Sequence, residues 1–226
     1  EAKSIIHKHI PLSGNENVLL KDSGNRVLAQ DIIATFPMPS FDNSAMDGFA
    51  VRAVDTKGAD QSLPVTLKMV GVSSAGSPGD ITLGPGECAQ CMTGAIIPNG
   101  ADAIVMVEDT SGFSDTDSVQ IFQEAKTGKH IREKGEEIQD RNMLIPKGTH
   151  ITPNEIGTLA TFGYGEISVA KKPRIAIFGT GDELVEPGIE LKQGQIYNSN
   201  IYIFAELAKK SGAEVVMRDV IKDDPE

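Results

Sequence analysis

The chain has 226 residues and carries 21 basic against 32 acidic side chains, for a formal net charge of -11. A charge of that sign repels phosphate backbones and anionic lipid headgroups, which argues against nucleic acid and membrane surfaces as partners. No apolar run approaches the roughly 18 residues of a membrane span, and the first residues lack a signal-peptide hydrophobic segment, so we expect a soluble cytoplasmic protein.

The first part of the chain is predicted to hold a short N-terminal helix and two strand-like runs, at residues 31–36 and 49–52. Between these two runs lies the segment SFDNSAMDG, residues 40–48. Its Asn, Ser, Asp and Gly residues favour turns, because their side chains bond the local backbone or because glycine tolerates positive φ. Ordered loops of this length are commonly functional, so we expect a functional loop here.

Residues 51–138 contain short β-type runs, at 65–70, 103–107 and 119–122, separated by Gly- and Pro-rich turns. Regular short strands with such punctuation predict a small β-barrel or sandwich. The same region holds the only cysteines of the chain, Cys88 and Cys91. Two thiolates are half of a tetrahedral zinc site and nothing nearby completes it, so we interpret the pair as incidental.

The next predicted element is a helix that starts at the sequence TPNE, residues 152–155. A hydroxyl at the N-cap, proline at the first helical position and a carboxylate three residues on form a capping-box signature. We expect this helix to end at Gly163. A short strand at 167–169 and a linker at 171–173 follow.

The last segment is predicted to form strand, helix and strand, which makes a right-handed parallel crossover. The strands are residues 174–178 and 214–221, and the intervening helix has N-cap candidates at 198–200. One apolar helix face is expected to consist of Ile201, Phe204, Leu207 and Ala208. Two strands and a helix cannot bury a stable core, so we expect the chain to stop partway through a domain.

Four carboxylates follow the two strands of this crossover: Asp182 and Glu183 after the first, Asp223 and Asp224 after the second. Ligands bind outside the carboxyl ends of parallel strands, and neighbouring strands lie about 5 Å apart. Like charges gathered at such an edge predict a Mg²⁺ site that substrate phosphate oxygens complete. Asp-Asp-Pro and Gly-Asp are also common turn compositions, so capping of local amides is an equally good interpretation.

Two further stretches are candidates for contact with a ligand. Thr93 precedes Gly94 in a loop where the backbone could approach a ligand closely, although a hydroxyl that bonds its own backbone is the simpler interpretation. Residues 126–138 concentrate positive charge, and Arg132 could bond two phosphate oxygens, although a solvated hairpin face fits as well. His130 lies in this polar stretch and is expected to be exposed.

The segments SFDNSAMDGFAVR, MTGAIIP, IREKGEEI, GTGDEL, GQIYNSN and KDDP occur in this order over nearly the whole chain. Together they resemble the MoeA family of molybdopterin molybdenumtransferases, which includes the gephyrin E domain. The resemblance implies an enzyme that inserts molybdate into adenylylated molybdopterin with Mg²⁺, cleaving the phosphoanhydride and releasing AMP. It also implies a homodimer that receives its substrate from the upstream molybdopterin adenylyltransferase.

The resemblance carries over to individual positions of this sequence. The implied catalytic residues are Asp47, Thr93, Arg132, Glu137, Glu183 and Asp223. The implied substrate-binding residues are Asn43, Ser44, Gly179, Thr180, Gly181 and Asp182. Mg²⁺ is expected at Glu183 and Asp223. Glu137 stands where the family often has aspartate, and Phe49 stands where it often has tyrosine.

The fold that the resemblance implies is multidomain, α+β and α/β. We expect an elongated lobe from residues 1–50 and 139–170, an inserted β-barrel-like lobe at 51–138, and an incomplete molybdopterin-binding α/β domain at 171–226. In the family the active-site cleft lies between two subunits, and the chain alone is expected to be inactive. The alternative to an enzyme is a non-catalytic dimeric scaffold of the same family.

Overall fold

The computed structural model describes residues 2–9, 14–113 and 117–221. The described residues form two compact units. The first unit contains the residues up to Ile33 and those from Met143 onward, and the second is Ala34–Asn142. The second unit is thus an insertion between two halves of the first along the chain.

Short strands make up most of the regular structure in the described residues. The α-helices are α1 (Ala2–His9), α2 (Pro153–Thr161) and α3 (Asn200–Lys210). The strands are β1 (Asn15–Leu19), β2 (Ile32–Ile33), β3 (Asn43–Ser44), β4 (Gly48–Val51), β5 (Val65–Ser73), β6 (Glu87–Cys91), β7 (Ala103–Met106), β8 (Ser118–Ile121), β9 (Ile131–Arg132), β10 (Met143–Ile145), β11 (Glu166–Ala170), β12 (Arg174–Thr180), β13 (Leu184–Val185), β14 (Ile196–Tyr197) and β15 (Glu214–Ile221). None of the described helices is long and apolar enough to cross a bilayer.

Part of the first unit is an antiparallel framework with helix α2 beside it. Strand β1 pairs with β11, and β2 pairs with β10. The predicted capping box begins α2, because Thr152 and Glu155 bond each other's backbone amides. Leu159 of this helix is fully buried in a core that also contains Leu28, Ile32, Ile145, Ile151, Ile167 and Val169. The strand-like run at 31–36 is shorter than expected, since only β2 is a strand there.

The predicted strand, helix, strand crossover is confirmed. Strands β12 and β15 pair in parallel, and α3 connects them. The predicted apolar face of α3 is wrong in part, because Phe204 and Leu207 are 57% and 52% exposed. The buried residues are Ile201 and Ala205, one turn apart, because the helix meets the two strands along a narrow line.

The second unit is built on one mixed five-stranded sheet in the order β7-β4-β6-β5-β8. The sheet curls, since Thr110, just after β7, forms an isolated bridge with Ile121 of the opposite edge strand. Strand β4 pairs with both β6 and β7, so residues 48–51 form an interior strand of this sheet. This unit is therefore larger than the expected lobe of residues 51–138, since residues 34–50 and 139–142 also lie in it.

Apolar side chains cover both faces of the five-stranded sheet. Phe49, Val51 and Cys88 pack on one face, and Ala50, Ala89 and Cys91 pack on the other. Both cysteines are free thiols with no exposure. Burial raises the pKa of the Cys88 thiol to about 12 and that of Cys91 to about 11. Two protonated thiols on opposite faces cannot chelate one metal ion, in keeping with the interpretation of this pair as incidental.

Candidate functional site

The SFDNSAMDG segment, residues 40–48, is fixed to two other loops through the backbone of Ser44. The Ser44 amide donates to the Ala95 carbonyl at 3.0 Å, and the Ser44 carbonyl accepts from the Gly94 amide at 2.8 Å. The Ala45 amide donates to the His130 carbonyl at 3.0 Å. Strand β3 also pairs antiparallel with β9, so that Asn43 lies opposite Arg132. The three loops that carry the predicted site residues of this unit therefore meet at Ser44.

The side chain of Asp47 is bonded to Thr93 on the neighbouring loop. Its Oδ1 accepts from both the amide and the hydroxyl of Thr93, each at 2.7 Å. These two donors, first the amide and then the hydroxyl, lower the pKa of Asp47 below its ordinary value. The side chain is exposed, so an ionised carboxylate faces solvent at this position.

Arg132 brings a cation to the same loops. Its Nη2 donates to the Ser44 carbonyl at 3.4 Å. Its Nε is buried and has no hydrogen-bond partner among the described residues. A buried guanidinium nitrogen without an acceptor is costly, and an anionic ligand oxygen would satisfy it.

Glu137 is the one predicted site residue of this unit that the structure leaves apart. Its amide donates to the Met38 carbonyl at 3.0 Å, and its side chain is exposed. No hydrogen bond joins it to Asp47, Thr93 or Arg132 in the part of the chain that the structure describes. It lies on the segment that follows β9, where Gly135 turns with a φ of +78°.

In the first unit, Gly179 and Thr180 of the predicted glycine loop are the last two residues of β12, and Gly181 follows them. Gly181 has a φ of +139°, and its amide donates to the carbonyl of Ile221 at the end of β15, at 3.4 Å. A Cβ at Gly181 would lie 2.8 Å from the carboxyl carbon of Glu183, so this carboxylate folds directly over the glycine. Thr180 and Asp182 flank Gly181, and Thr180 is exposed. The backbone of Gly181 and the carboxylate oxygens of Glu183 therefore lie together at the end of the strand.

The residues at this strand end have the chemistry that Mg²⁺ prefers, since carboxylate oxygens are its usual ligands. Glu183 is in place at the carboxyl edge of β12, and the second expected ligand, Asp223, lies outside the described residues. Among the described residues, no cluster of three or more His, Cys, Asp or Glu side chains could hold a metal ion. The Mg²⁺ site stays a prediction.

Two residues that the sequence did not mark as functional lie in these loops. His130 was expected to be exposed, and this is wrong, since it is half-buried with an Nδ1 atom that is buried without a partner among the described residues. Asn198 is 2% exposed, and its Oδ1 accepts from the Ile201 amide at 3.4 Å. Its Nδ2 is likewise buried and without a described partner, and a Cβ at Gly179 would lie 3.0 Å from it. The GQIYNSN motif includes Asn198, but only packing between distant residues shows that these two nitrogen atoms are buried.

Comparison with known proteins places the chain in a family. Residues 1–163 match the model of the MoeA N-terminal region, domains I and II, and residues 176–226 match that of a probable molybdopterin binding domain. The chain therefore belongs to the MoeA family, which confirms the resemblance found from the sequence motifs.

Curated relatives and solved structures agree with this assignment. Molybdopterin molybdenumtransferase from Staphylococcus aureus is 42% identical over 92% of this chain and 49% of its own length. Molybdopterin molybdenumtransferase 2 from Mycobacterium tuberculosis is 42% identical over 92% of this chain and 51% of its own. A molybdopterin biosynthesis MoeA protein from Pyrococcus horikoshii superposes with a TM-score of 0.88 at 34% identity, covering 99% of this chain and 56% of that one. The chain thus spans about half the length of the curated relatives it matches.

Proposed function

We propose that the full-length protein is a molybdopterin molybdenumtransferase in molybdenum cofactor biosynthesis. It inserts molybdate into adenylylated molybdopterin, cleaving the phosphoanhydride and releasing AMP. The observation that carries this proposal is the bonded pair of Asp47 and Thr93 in a chain of the MoeA family, with Arg132 of β9 bonded to the Ser44 carbonyl of the Asp47 segment. A protein that served only as a scaffold would have no need of an ionised carboxylate fixed at this point.

Asp47 is proposed to orient a substrate group rather than to remove a proton. Both Thr93 donors go to Oδ1, which leaves Oδ2 as the oxygen that can accept a hydrogen bond from a ligand or a bound water. An efficient general base has a pKa near the working pH, whereas the pKa of Asp47 is lowered. Its persistent negative charge suits the orientation of a donor on the pterin or of a bound water.

Arg132 is proposed to bind an anionic oxygen of the substrate. Its Nη2 is anchored on Ser44, while the buried Nε lacks an acceptor among the described residues. Asn43 and Ser44 hold this arrangement in register through strand β3. A role for Glu137 rests on the family resemblance alone, since no hydrogen bond joins it to Asp47, Thr93 or Arg132 among the described residues.

The glycine loop of the first unit is proposed to hold the diphosphate of the substrate. Gly179, Thr180 and Gly181 lie at the carboxyl end of β12, where ligands of parallel sheets bind, and the Thr180 side chain is exposed there. Glu183, with Asp182 beside it and Asp223 after β15, would hold Mg²⁺. When bound, Mg²⁺ neutralises charge on the phosphate oxygens of the substrate.

We propose further that the protein is a homodimer in which the Asp47 loop of one subunit works with the Glu183 loop of the other, as the family resemblance implies. A substrate that carries an AMP group on molybdopterin must come from an adenylyl-transfer reaction, so an adenylyltransferase is the expected upstream partner. The proposed site of action is the cytoplasm, where the family resemblance leads us to expect this biosynthetic step.

The test uses full-length protein with Asp47→Asn, Glu183→Gln and Asp223→Asn. AMP release by chromatography and molybdenum bound to the pterin are measured in single turnover. We expect wild-type protein to release AMP and to yield pterin-bound molybdenum. Each variant should do both much more slowly than wild type. If all three variants insert molybdate as wild-type does, the site assignment is wrong; if wild-type releases no AMP from the adenylylated pterin, the enzymatic function is wrong.

Mixed dimers test the shared site. Asp47→Asn and Glu183→Gln subunits, each inactive alone, are combined and allowed to exchange. If each site uses Asp47 of one subunit and Glu183 of the other, every mixed dimer contains one intact site, and activity returns. Absence of recovery in dimers shown to be mixed by mass would contradict a shared site.

A further inference from the structure

His130 has an unusual backbone conformation next to the candidate site. Its φ is +59°, in the left-handed region that residues with a Cβ seldom adopt. Two other non-glycine residues in the described ranges share this conformation, Asn25 and Arg141. Of these two, only Arg141 lies in the same compact unit as His130.

The left-handed residue joins the rigid sheet to the SFDNSAMDG segment. One residue earlier, the Lys129 carbonyl accepts from the amide of Ile104 in strand β7 at 2.9 Å. The His130 carbonyl accepts instead from Ala45, and the chain then enters β9, which pairs with β3. Because the backbone changes direction at His130, the Lys129 carbonyl bonds strand β7 and the His130 carbonyl bonds the SFDNSAMDG segment.

The imidazole offers no comparable link through its buried nitrogen. Nδ1 is buried and has no partner among the described residues. What the residue type supplies is a tolerance for positive φ, because histidine, like asparagine and aspartate, is enriched there relative to other residues with a Cβ. The conformation of the main chain thus explains this position better than the chemistry of the ring does.

We infer that His130 is a positioning residue that acts through its left-handed backbone. Its carbonyl fixes the amide of Ala45, two residues before Asp47, and so holds the loop from which the Asp47 carboxylate reaches Thr93. The link between His130 and the Ala45 amide stands on its own, and its effect on turnover rests on the proposed function.

Hydrogen exchange on the full-length protein tests this role directly. The variants are His130→Asn, His130→Gly, His130→Ala and His130→Val, all of which lack the imidazole. Asparagine and glycine accept positive φ, so exchange in the 42–48 segment should stay within about twofold of wild type. Alanine should speed exchange there by about fivefold or more, and β-branched valine by more still, because the left-handed conformation costs them more.

Arg141→Ala is the matched control. Arg141 also has a positive φ, of +63°, but its amide donates to the Ala34 carbonyl and not to the SFDNSAMDG segment. This variant should leave exchange in the 42–48 segment unchanged. Exchange in strand β6 should also stay unchanged in all His130 variants, which separates local loosening from loss of the whole fold.

Turnover gives a second reading of the same variants. The kcat of molybdate insertion should fall most in the variants whose 42–48 segment exchanges fastest. The alanine and valine variants should therefore have a lower kcat, and the asparagine variant should keep a kcat near that of wild type. Equal acceleration of exchange in all four variants would assign the role to the imidazole and overturn the inference, as would no acceleration in any of them. A wild-type protein without activity would defeat the proposed function and leave the exchange result standing.

Discussion

Asp47 receives two hydrogen bonds from one residue, since both the amide and the hydroxyl of Thr93 donate to its Oδ1 at 2.7 Å. The two donors stabilise the ionised carboxylate, so the pKa of Asp47 falls below its ordinary value of 3.8. This interaction is therefore fully present above pH 3.8 and is lost only as the pH falls through the lower pKa of the folded protein. Around neutral pH, Asp47 offers a permanent negative charge in a fixed place.

Asp47→Asn removes that charge while keeping the size of the side chain. We expect the rate of molybdate insertion by the full-length protein to fall about 100-fold or more, because a preorganised charge at a reacting substrate is worth that much. The thermal midpoint should change little, since the side chain is exposed. Single-turnover AMP release measures the effect.

Asp60→Asn is the control for this loss of charge. Asp60 is also exposed, and hydrogen bonds from Ser62 and Leu63 lower its pKa in the same way. It lies on no loop of the candidate site, so its amide variant should insert molybdate at the wild-type rate. A comparable loss of rate in both variants would show that the rate depends on the net charge of the protein and not on Asp47 itself.

Thr93→Val separates the two donors to Asp47. The valine variant keeps the backbone amide and loses the hydroxyl, so the pKa of Asp47 should rise towards 3.8 without reaching it, because the amide is the larger cause of its lowering. Thr93→Ser keeps both donors and should keep the wild-type titration. The carboxyl carbon shift of Asp47, followed against pH by NMR, measures this, and an unchanged pKa in the valine variant would contradict the role of the hydroxyl.

Local signals in the sequence predicted the elements that depend on neighbours along the chain. The capping box at Thr152 and the crossover of β12, α3 and β15 both follow from short-range spacing, and both are confirmed. The burial of α3 was predicted less well. Phe204 and Leu207 are exposed because packing against the two strands selects Ile201 and Ala205, and that choice depends on tertiary contacts.

The candidate site shows the same division. Motifs marked Asp47, Thr93 and Arg132, and the structure brings their loops together at Ser44. The sequence could not show that the Nδ1 of His130 and the Nδ2 of Asn198 are buried without described partners, because burial is set by residues far away in the chain. The motif itself suggested that Gly48 serves a turn, whereas it begins β4 beside the backbone of Val105.

The two cysteines should be inert towards alkylation in the folded protein. The thiolate is the reactive species, and a pKa of about 12 for Cys88 leaves about one thiol in ten thousand ionised at pH 8. Cys91, with a pKa of about 11, is buried on the other face of the sheet. Mass spectrometry after iodoacetamide should find neither modified until the protein is unfolded, and rapid labelling or stoichiometric zinc binding would contradict the structural interpretation.

Gly48→Ala should destabilise the second unit. A Cβ at Gly48 would lie 2.9 Å from the carbonyl carbon of Val105, closer still to its oxygen, and 3.0 Å from Cα of Met106. These are backbone atoms of edge strand β7, which pairs with β4 along its whole length, so they cannot move aside independently. We expect a loss of about 3 kcal/mol or more in the free energy of unfolding, measured by urea denaturation of the full-length protein.

Gly84→Ala is the matched comparison, since neither glycine has a positive φ. A Cβ at Gly84 would meet only the Glu87 carboxylate, at 3.2 Å, and this side-chain end can shift by a few tenths of an ångström while its Oε2 keeps the hydrogen bond from the Gly84 amide. Its loss of stability should stay below about 1 kcal/mol, because a surface change without a backbone clash is small. Equal destabilisation by the two alanines would mean that glycine is needed at position 48 for a reason other than the approach of Val105.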